Sequence, residues 1–287
     1  MTEIKRVLIA TDLSVHTDSA LYMGKKLEEF TSCDITLLHI ADVPYLWEWP
    51  SILDKFQAEL QSGAETRIKE QMKRCGVDFK TQILFGETYT DLNQYLKDNE
   101  FDLLIMGHRT DRPLFSSRSL AKKIIASTEV PVFICTNDKP ISKVGCLVDL
   151  SKISEKCISE AEWAGKLFDA EIHYFTTIPD IASKALLSMP FAVSNYAFSN
   201  EEKESIVNKA RTEIKTKIGN IGDEYIHVNI TPDEIIKVLA QQVEEANIDL
   251  AILAKHNRGP VEKLFIGSVT KGFIDHFNGN ILVLPGK

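Results

Sequence analysis

Residues 6–14 read RVLIATDLS and residues 143–151 read KVGCLVDLS, so one pattern occurs twice in a chain of 287 residues. In both copies a basic residue leads into a β-type run that ends in Asp-Leu-Ser. A second pair follows in the same order, FDLLIMG at 101–107 and IDLAILA at 248–254. The period is about half the chain, which is too long for a solenoid repeat and fits two domains.

Strand and helix patterns alternate along each half. Continuous apolar runs such as 7–11 are typical of strands buried on both faces of a parallel sheet. Stretches such as 53–74 carry apolar residues every three or four positions and predict helices. We therefore predict an α/β chain with two tandem doubly wound, Rossmann-like parallel sheets of five strands each. The expected domains are 1–138 and 139–287, with a linker at 136–142.

The composition limits which binding partners and which cellular compartment are expected. The formal net charge is -8, which opposes nucleic-acid binding, and no apolar stretch approaches the ~20 residues of a membrane span. No signal-peptide pattern is present at the N-terminus, so we expect a soluble cytoplasmic protein with no nucleic-acid or membrane partner. The odd number of cysteines without CxxC spacing predicts reduced, buried thiols at Cys33, Cys75, Cys135, Cys146 and Cys157.

Two aromatic segments depart from the repeat. Residues 44–50 follow the second strand of the first half, and residues 186–198 follow that of the second half. Each could fold back over its own domain or its twin, or could form a ligand lid or a partner surface.

Ligands in a doubly wound sheet bind beyond the carboxyl ends of the strands. The first strand ends at Asp12 in one half and at Asp149 in the other. Either carboxylate could accept hydrogen bonds from a sugar hydroxyl or a base amino group, or cap the next helix, and both roles are compatible. The second strand ends at Ile40 or Thr176.

The loop after the fourth strand of the second half reads AKHNRGPVEKLFIGSVT at 254–270. Gly267 and Ser268 open a helix there, which predicts an anion site. Free backbone N–H groups and the positive end of the helix dipole face the ligand, and glycine allows close approach. Lys255 and Arg258 would add positive charge.

These features together resemble the universal stress protein family in its tandem form, over essentially the whole chain. The resemblance rests on the Asp that ends strand one, on LLHI at 37–40, on the Asp-Leu-x-Ile-x-Gly strand and on the Gly-Ser-Val helix start. It implies that the fifth strands, 130–135 and 281–284, meet across a two-fold axis in an intrachain pseudo-dimer. It also implies ATP or another adenine nucleotide as ligand, with Mg²⁺ as its candidate companion ion.

In nucleotide-binding members of that family the loop reads Gly, two residues, Gly, nine residues, Gly, then Ser or Thr. Its glycines wrap the phosphates, while the Asp after strand one and the residue ending strand two hold the nucleoside. The second half keeps this spacing, with Ala254 and Asn257 at the first two glycine positions. Asn tolerates the left-handed conformation that glycine would adopt. The implied binding residues are Asp149, Thr176, Ala254, His256, Asn257, Gly267, Ser268 and Val269.

The first half departs further from the family pattern. Gly107 is kept, Thr110 stands at the second glycine, and counting back from Pro131 places Arg118 and Ser119 where Gly-Ser is expected. An arginine there would fill the phosphate pocket, or would pair with a phosphate along a different backbone path. The weaker implied set of this half is Asp12, Ile40, Gly107 and Ser119.

No catalytic or metal-binding motif accompanies these loops. The sequence has no HExxH, no GxSxG and no GxxxxGK[ST], and nothing places a general base against a nucleophile. His39 and His173 are interpreted as packed core histidines at comparable positions. We therefore predict a ligand-binding protein without catalytic or metal residues.

Two other functions stay open. One is a scaffold whose loops have both degenerated, acting through a protein partner. The other is an enzyme of the wider adenine-binding α/β group. A homodimer is a further candidate assembly.

Overall fold

The computed structural model describes residues 4–42, 50–108, 117–148, 153–180, 198–219, 221–231, 234–255 and 268–286. These residues form two compact units by their contacts. The first unit holds the described residues up to Lys139 together with those from Asn280 to Pro285, and the second holds the others.

The first unit alternates strands and helices as predicted. Its elements are β1 (Arg6–Thr11), a 3-10 turn (Val15–Thr17), α1 (Asp18–Thr31), β2 (Asp34–Ala41), α2 (Pro50–Cys75), β3 (Lys80–Phe85), α3 (Thr88–Asp98), β4 (Leu103–Gly107), α4 (Ser117–Ser127) and β5 (Val132–Cys135). The strands pair in parallel in the order β3-β2-β1-β4-β5, which is the doubly wound order.

The second unit repeats this order. Its elements are β6 (Lys143–Leu147), α5 (Ile153–Phe168), β7 (Glu171–Pro179), α6 (Asn200–Ile218), a 3-10 turn (Asp223–Tyr225), β8 (Ile226–Thr231), α7 (Ile235–Glu245), β9 (Leu250–Ala254) and α8 (Ser268–His276). Its strands pair in parallel in the order β9-β6-β7-β8. Across the described ranges, no helix has the length and apolar character that a bilayer crossing requires.

The last strand, β10 (Asn280–Leu284), pairs antiparallel with β5, with Leu282 opposite Phe133. The predicted meeting of the two fifth strands is therefore confirmed. By its contacts β10 belongs to the first unit. The fully buried Asn280 strengthens this join, because its side-chain oxygen accepts a 2.9 Å hydrogen bond from the Thr136 backbone N–H.

The central strands are apolar because both of their faces are covered. Val7, Leu8 and Ile9 of β1 are fully buried, as are Val144 and Cys146 of β6. This burial explains why the strands read as continuous apolar runs rather than as alternating patterns.

The five cysteines are free and buried, as predicted. Burial raises the pKa of the Cys75 thiol to about 11 and raises that of Cys135 as well. The thiols of Cys75 and Cys135 are therefore protonated at neutral pH and act as packing groups.

The repeated Asp that precedes the fourth strand of each half has a structural role. Asp102 Oδ2 accepts hydrogen bonds of 2.8 Å from the backbone N–H groups of Lys5 and Arg6, at the start of β1. Asp249 Oδ2 does the same at the start of β6, accepting from the N–H groups of Ser142 and Lys143 at 2.8 and 3.0 Å. The carboxylate thus satisfies donors that the sheet leaves unpaired.

We expect Asp249→Ala to lower the free energy of unfolding by about 1–3 kcal/mol, because hydrogen bonds to a charged acceptor are lost and their donors keep no partner. Urea unfolding measures the change. Asp78→Ala, at an exposed carboxylate, is the control and should change stability by less than about 0.5 kcal/mol. Equal midpoints for the two variants would contradict this role.

Candidate functional site

Strand register aligns the two candidate sites. Arg6 pairs with Asp34 in the first unit, and Lys143 pairs with Glu171 in the second. His39 and Thr176 each follow five residues after these paired positions, Asp34 and Glu171, so His39 is the counterpart of Thr176 in the first unit.

Two sequence-based interpretations are therefore wrong by register. Ile40 is not the equivalent of Thr176, and His39 and His173 do not occupy comparable positions, because His173 corresponds to Thr36. Strands that are apolar on both faces carry no alternation from which a shift of one or more residues could be read.

Asp12 caps the turn that follows β1. Its Oδ1 accepts a 2.9 Å hydrogen bond from the Ser14 N–H and a longer one, 3.4 Å, from the Thr17 hydroxyl. Leu13 between them has a φ of +62°, and its N–H donates to Thr11 Oγ1 at 2.9 Å. The capping role of Asp12 thus accounts for one carboxylate oxygen, while the residue itself is exposed.

Gln71, fully buried on α2, organises the polar groups beside that turn. Its Oε1 accepts from the Thr11 hydroxyl at 2.8 Å, and its Nε2 lies 2.9 Å from both Thr17 Oγ1 and Asp18 Oδ1. The network ties α2 to the carboxyl end of β1. Sequence analysis missed Gln71, because a single glutamine in an amphipathic helix resembles a surface residue.

Asp18 also binds Arg74 through both carboxylate oxygens, at 2.6 and 2.8 Å. Burial alone would raise the pKa of Asp18, but the hydrogen bonds from Arg74 and Gln71 lower it below its ordinary value. Asp18 is therefore ionised at neutral pH and anchors the network.

His39 of β2 lies beside Thr11, at the carboxyl end of β1. Its Nδ1 lies 3.0 Å from the Thr11 carbonyl oxygen, which can only accept, so Nδ1 carries the proton. Burial lowers the pKa of His39, and Arg67 lowers it further, while the Thr11 carbonyl and Asp12 act in the opposite direction. The first unit thus presents a neutral imidazole at the position where the second unit has a threonine.

Gly107, the last residue of β4, packs against the turn that follows β1. A Cβ on Gly107 would lie 2.6 Å from the Thr17 Cα and 2.9 Å from the His16 carbonyl oxygen. The glycine is therefore required by packing, and the face it opens is filled by protein.

In the second unit the start of α8 is held against the end of β9. Thr270, 2% exposed, donates from its hydroxyl to the Ala254 carbonyl oxygen at 3.3 Å. Val269 beside it is 41% exposed. The beginning of a helix therefore lies at the carboxyl end of β9, where an anion would be stabilised.

Two further predicted residues of this unit are buried. Thr176 on β7 is 4% exposed. Lys255, which follows Ala254, is only 1% exposed. Its ammonium group was expected to add positive charge to an open loop, and it lies inside the protein instead.

Several predicted features lie outside the described residues. They are Asp149, His256, Asn257, Arg258, Gly267 and Thr110, together with residues 44–49 and 186–197 of the two aromatic segments. Ser119 lies in the first turn of α4, and Ser268 is the first residue of α8.

Asp180 was missed by sequence analysis. It follows β7, is 1% exposed, and its Oδ2 lies 3.4 Å from Lys203 Nζ on α6. Its backbone N–H donates to the Thr231 carbonyl oxygen at 2.7 Å. A buried carboxylate therefore lies just beyond the carboxyl end of β7, four residues after Thr176. Within the described ranges, no three His, Cys, Asp or Glu side chains come together as a metal site.

Two segments of the chain, residues 3–136 and 140–285, each match the model of the universal stress protein family. The chain belongs to this family. It is a tandem member, because the two matches follow one another and together span almost the whole sequence.

Relatives and solved structures agree with this assignment. A universal stress protein of Methanocaldococcus jannaschii is 29% identical over 119 residues, which are 38% of this chain and 71% of that protein. The crystal structure of a universal stress protein from Archaeoglobus fulgidus superposes with a TM-score of 0.67 at 16% identity, covering 98% of both chains. A putative universal stress protein from Pseudomonas aeruginosa UCBPP-PA14 gives 0.67 at 17% identity, over 98% of this chain and 93% of that one. These two similarities show a shared fold.

We expect Gly107→Ala to destabilise the protein by about 1–3 kcal/mol, because the new methyl group meets the Thr17 backbone, which cannot move aside as a side-chain tip would. Gly63→Ala in α2 is the matched control. No atom lies near its Cβ position, so stability should be unchanged or rise by up to about 1 kcal/mol. Thermal unfolding of both variants measures the difference, and a neutral Gly107→Ala would refute the packing role.

Proposed function

We propose that this tandem universal stress protein binds an adenine nucleotide through its second half and does not turn it over. The observation that carries the proposal is the hydrogen bond from Thr270 to the Ala254 carbonyl. It keeps the first turn of α8 at the carboxyl end of β9. Such a helix start offers backbone N–H groups and a favourable dipole to phosphate oxygens.

The same edge supplies groups for the rest of the ligand. Asp149 and Thr176 would hold the nucleoside through a carboxylate and a hydroxyl, and Gly267, Ser268 and Val269 would meet the phosphates. Ala254, His256 and Asn257 belong to the connecting loop, and Mg²⁺ would enter with the phosphates.

The first half is proposed to support the fold rather than to bind nucleotide. Thr17 fills the face that Gly107 opens, and Asp12 is engaged in the turn. The predicted domains, 1–138 and 139–287, remain our assignment. The family matches at 3–136 and 140–285 support it, although by its contacts β10 groups with the first unit. A cytoplasmic location is inferred from the free, buried thiols.

Isothermal titration of the full chain with ATP and Mg²⁺ tests nucleotide binding. Gly267→Val should weaken binding at least about tenfold, because a branched side chain at the helix start blocks close approach of a phosphate. Ser119→Val, at the matching helix start of the first half, is the control and should leave the affinity unchanged.

Three results would overturn the proposal. An absence of heat at millimolar ATP would favour the scaffold function. Equal losses of affinity in Gly267→Val and Ser119→Val would show that the two halves do not differ in nucleotide binding. Steady ATP hydrolysis above the Gly267→Val background would show an enzyme.

A further inference from the structure

Two histidines face each other across β7 and β8 in the second unit. His173 Nδ1 lies 3.0 Å from His227 Nε2, and the two ring centroids are 5.3 Å apart. Phe175 stacks on the His227 ring, with centroids 4.4 Å apart and planes only 10° from parallel. The two nitrogens lie within hydrogen-bond distance and are partly buried, so the two imidazoles share a hydrogen bond.

One ring nitrogen of the pair donates and the other accepts, because two nitrogens 3.0 Å apart that both carry protons, or both lack them, would not bond. Either of the two arrangements meets this condition. Glu171 Oε2 lies 3.6 Å from His173 Nε2, beyond hydrogen-bond distance, so the carboxylate adds a negative charge beside the pair rather than a bond to it.

Charged side chains surround the histidine pair on several sides. Lys143 of β6 acts on both histidines, and Arg211 of α6 acts on His227. Among the described residues, Glu171 is the acid that faces the pair. Asp223 is held by Lys215 at 2.6 Å, and the Tyr225 ring lies 5.3 Å from His173.

We propose that the His173–His227 pair is an acid-sensitive latch that holds β8 to β7. The pair can take up one proton without losing its hydrogen bond, since one ring still donates and the other accepts. A second proton places two N–H groups head to head at 3.0 Å, beside the Lys143 and Arg211 charges. The hydrogen bond is then lost and the rings repel.

The sign of the pH dependence follows from the surroundings of the rings. Burial lowers the pKa of His173 and of His227 below the ordinary value of 6.5, and the mutual repulsion of the pair adds to the shift of His227. The unfolded chain therefore binds more protons than the folded one below about pH 6.5. Stability contributed by the neutral pair is present above that pH and is lost on acidification. Because β8 is the terminal strand in the order β9-β6-β7-β8, loosening should begin there.

Amide hydrogen exchange with NMR titration of the histidine rings tests the latch in the full chain. Between about pH 7.5 and pH 5, the protection factors of β8 amides should fall at least about tenfold more than those of β6. The two rings should titrate together, with apparent pKa values below the ordinary one. Independent titration at or above that value would overturn the proposal without any variant.

His227→Gln separates the latch from general acid sensitivity. A glutamine amide can still donate to His173 Nδ1 but does not take up a proton, so β8 should keep most of its protection at about pH 5. His276→Gln, at an exposed histidine that ends α8, is the control and should behave like the unaltered protein. Acid loss of the same size in His227→Gln and the unaltered protein would refute the latch. The outcome is independent of nucleotide binding, since no nucleotide is added to these samples.

Discussion

The structure depends on the complete burial of its central strands. A strand with both faces covered carries polar side chains where it ends or where a partner is at hand, as for His173 and His227, because an unpaired polar group in its middle would cost more than packing returns. The carboxyl end of β1 is therefore where Asp12, Thr11 and their partners gather. The opposite ends are closed by Asp102 and Asp249, which accept backbone N–H groups. A repeated acidic residue can thus mark a structural join as readily as a binding site.

The two halves use the same sheet edge differently. In the first, Gly107 admits the turn after β1, and Gln71 collects the remaining polar groups into a closed network. In the second, Thr270 binds the Ala254 carbonyl and keeps a helix start at the edge. The described residues of the two halves therefore place different groups at the equivalent end of the sheet.

Much of the architecture could be predicted from the sequence. Two α/β units, their order of elements and the pairing of β5 with β10 follow from the repeated motifs and from the family resemblance. The residue-by-residue equivalence of β7 and β2 could not be predicted. An apolar strand without alternation does not show which of its residues matches which residue of the other copy. Gln71, Asp180 and Thr270 were missed for a related reason. Their roles arise from burial and from partners distant in sequence, which a local pattern does not encode.

The antiparallel join between β5 and β10 has a consequence for how the protein is made. Thr136 and Asn280, which bond at this join, are 144 positions apart in sequence. Contacts of such long range form slowly, since a large loop must close before they contribute. During synthesis the earlier half emerges first and exposes one edge of β5 until the far segment arrives. An uncovered strand edge invites pairing with other chains, so this interval is when the nascent protein is most exposed to aggregation and to chaperone capture.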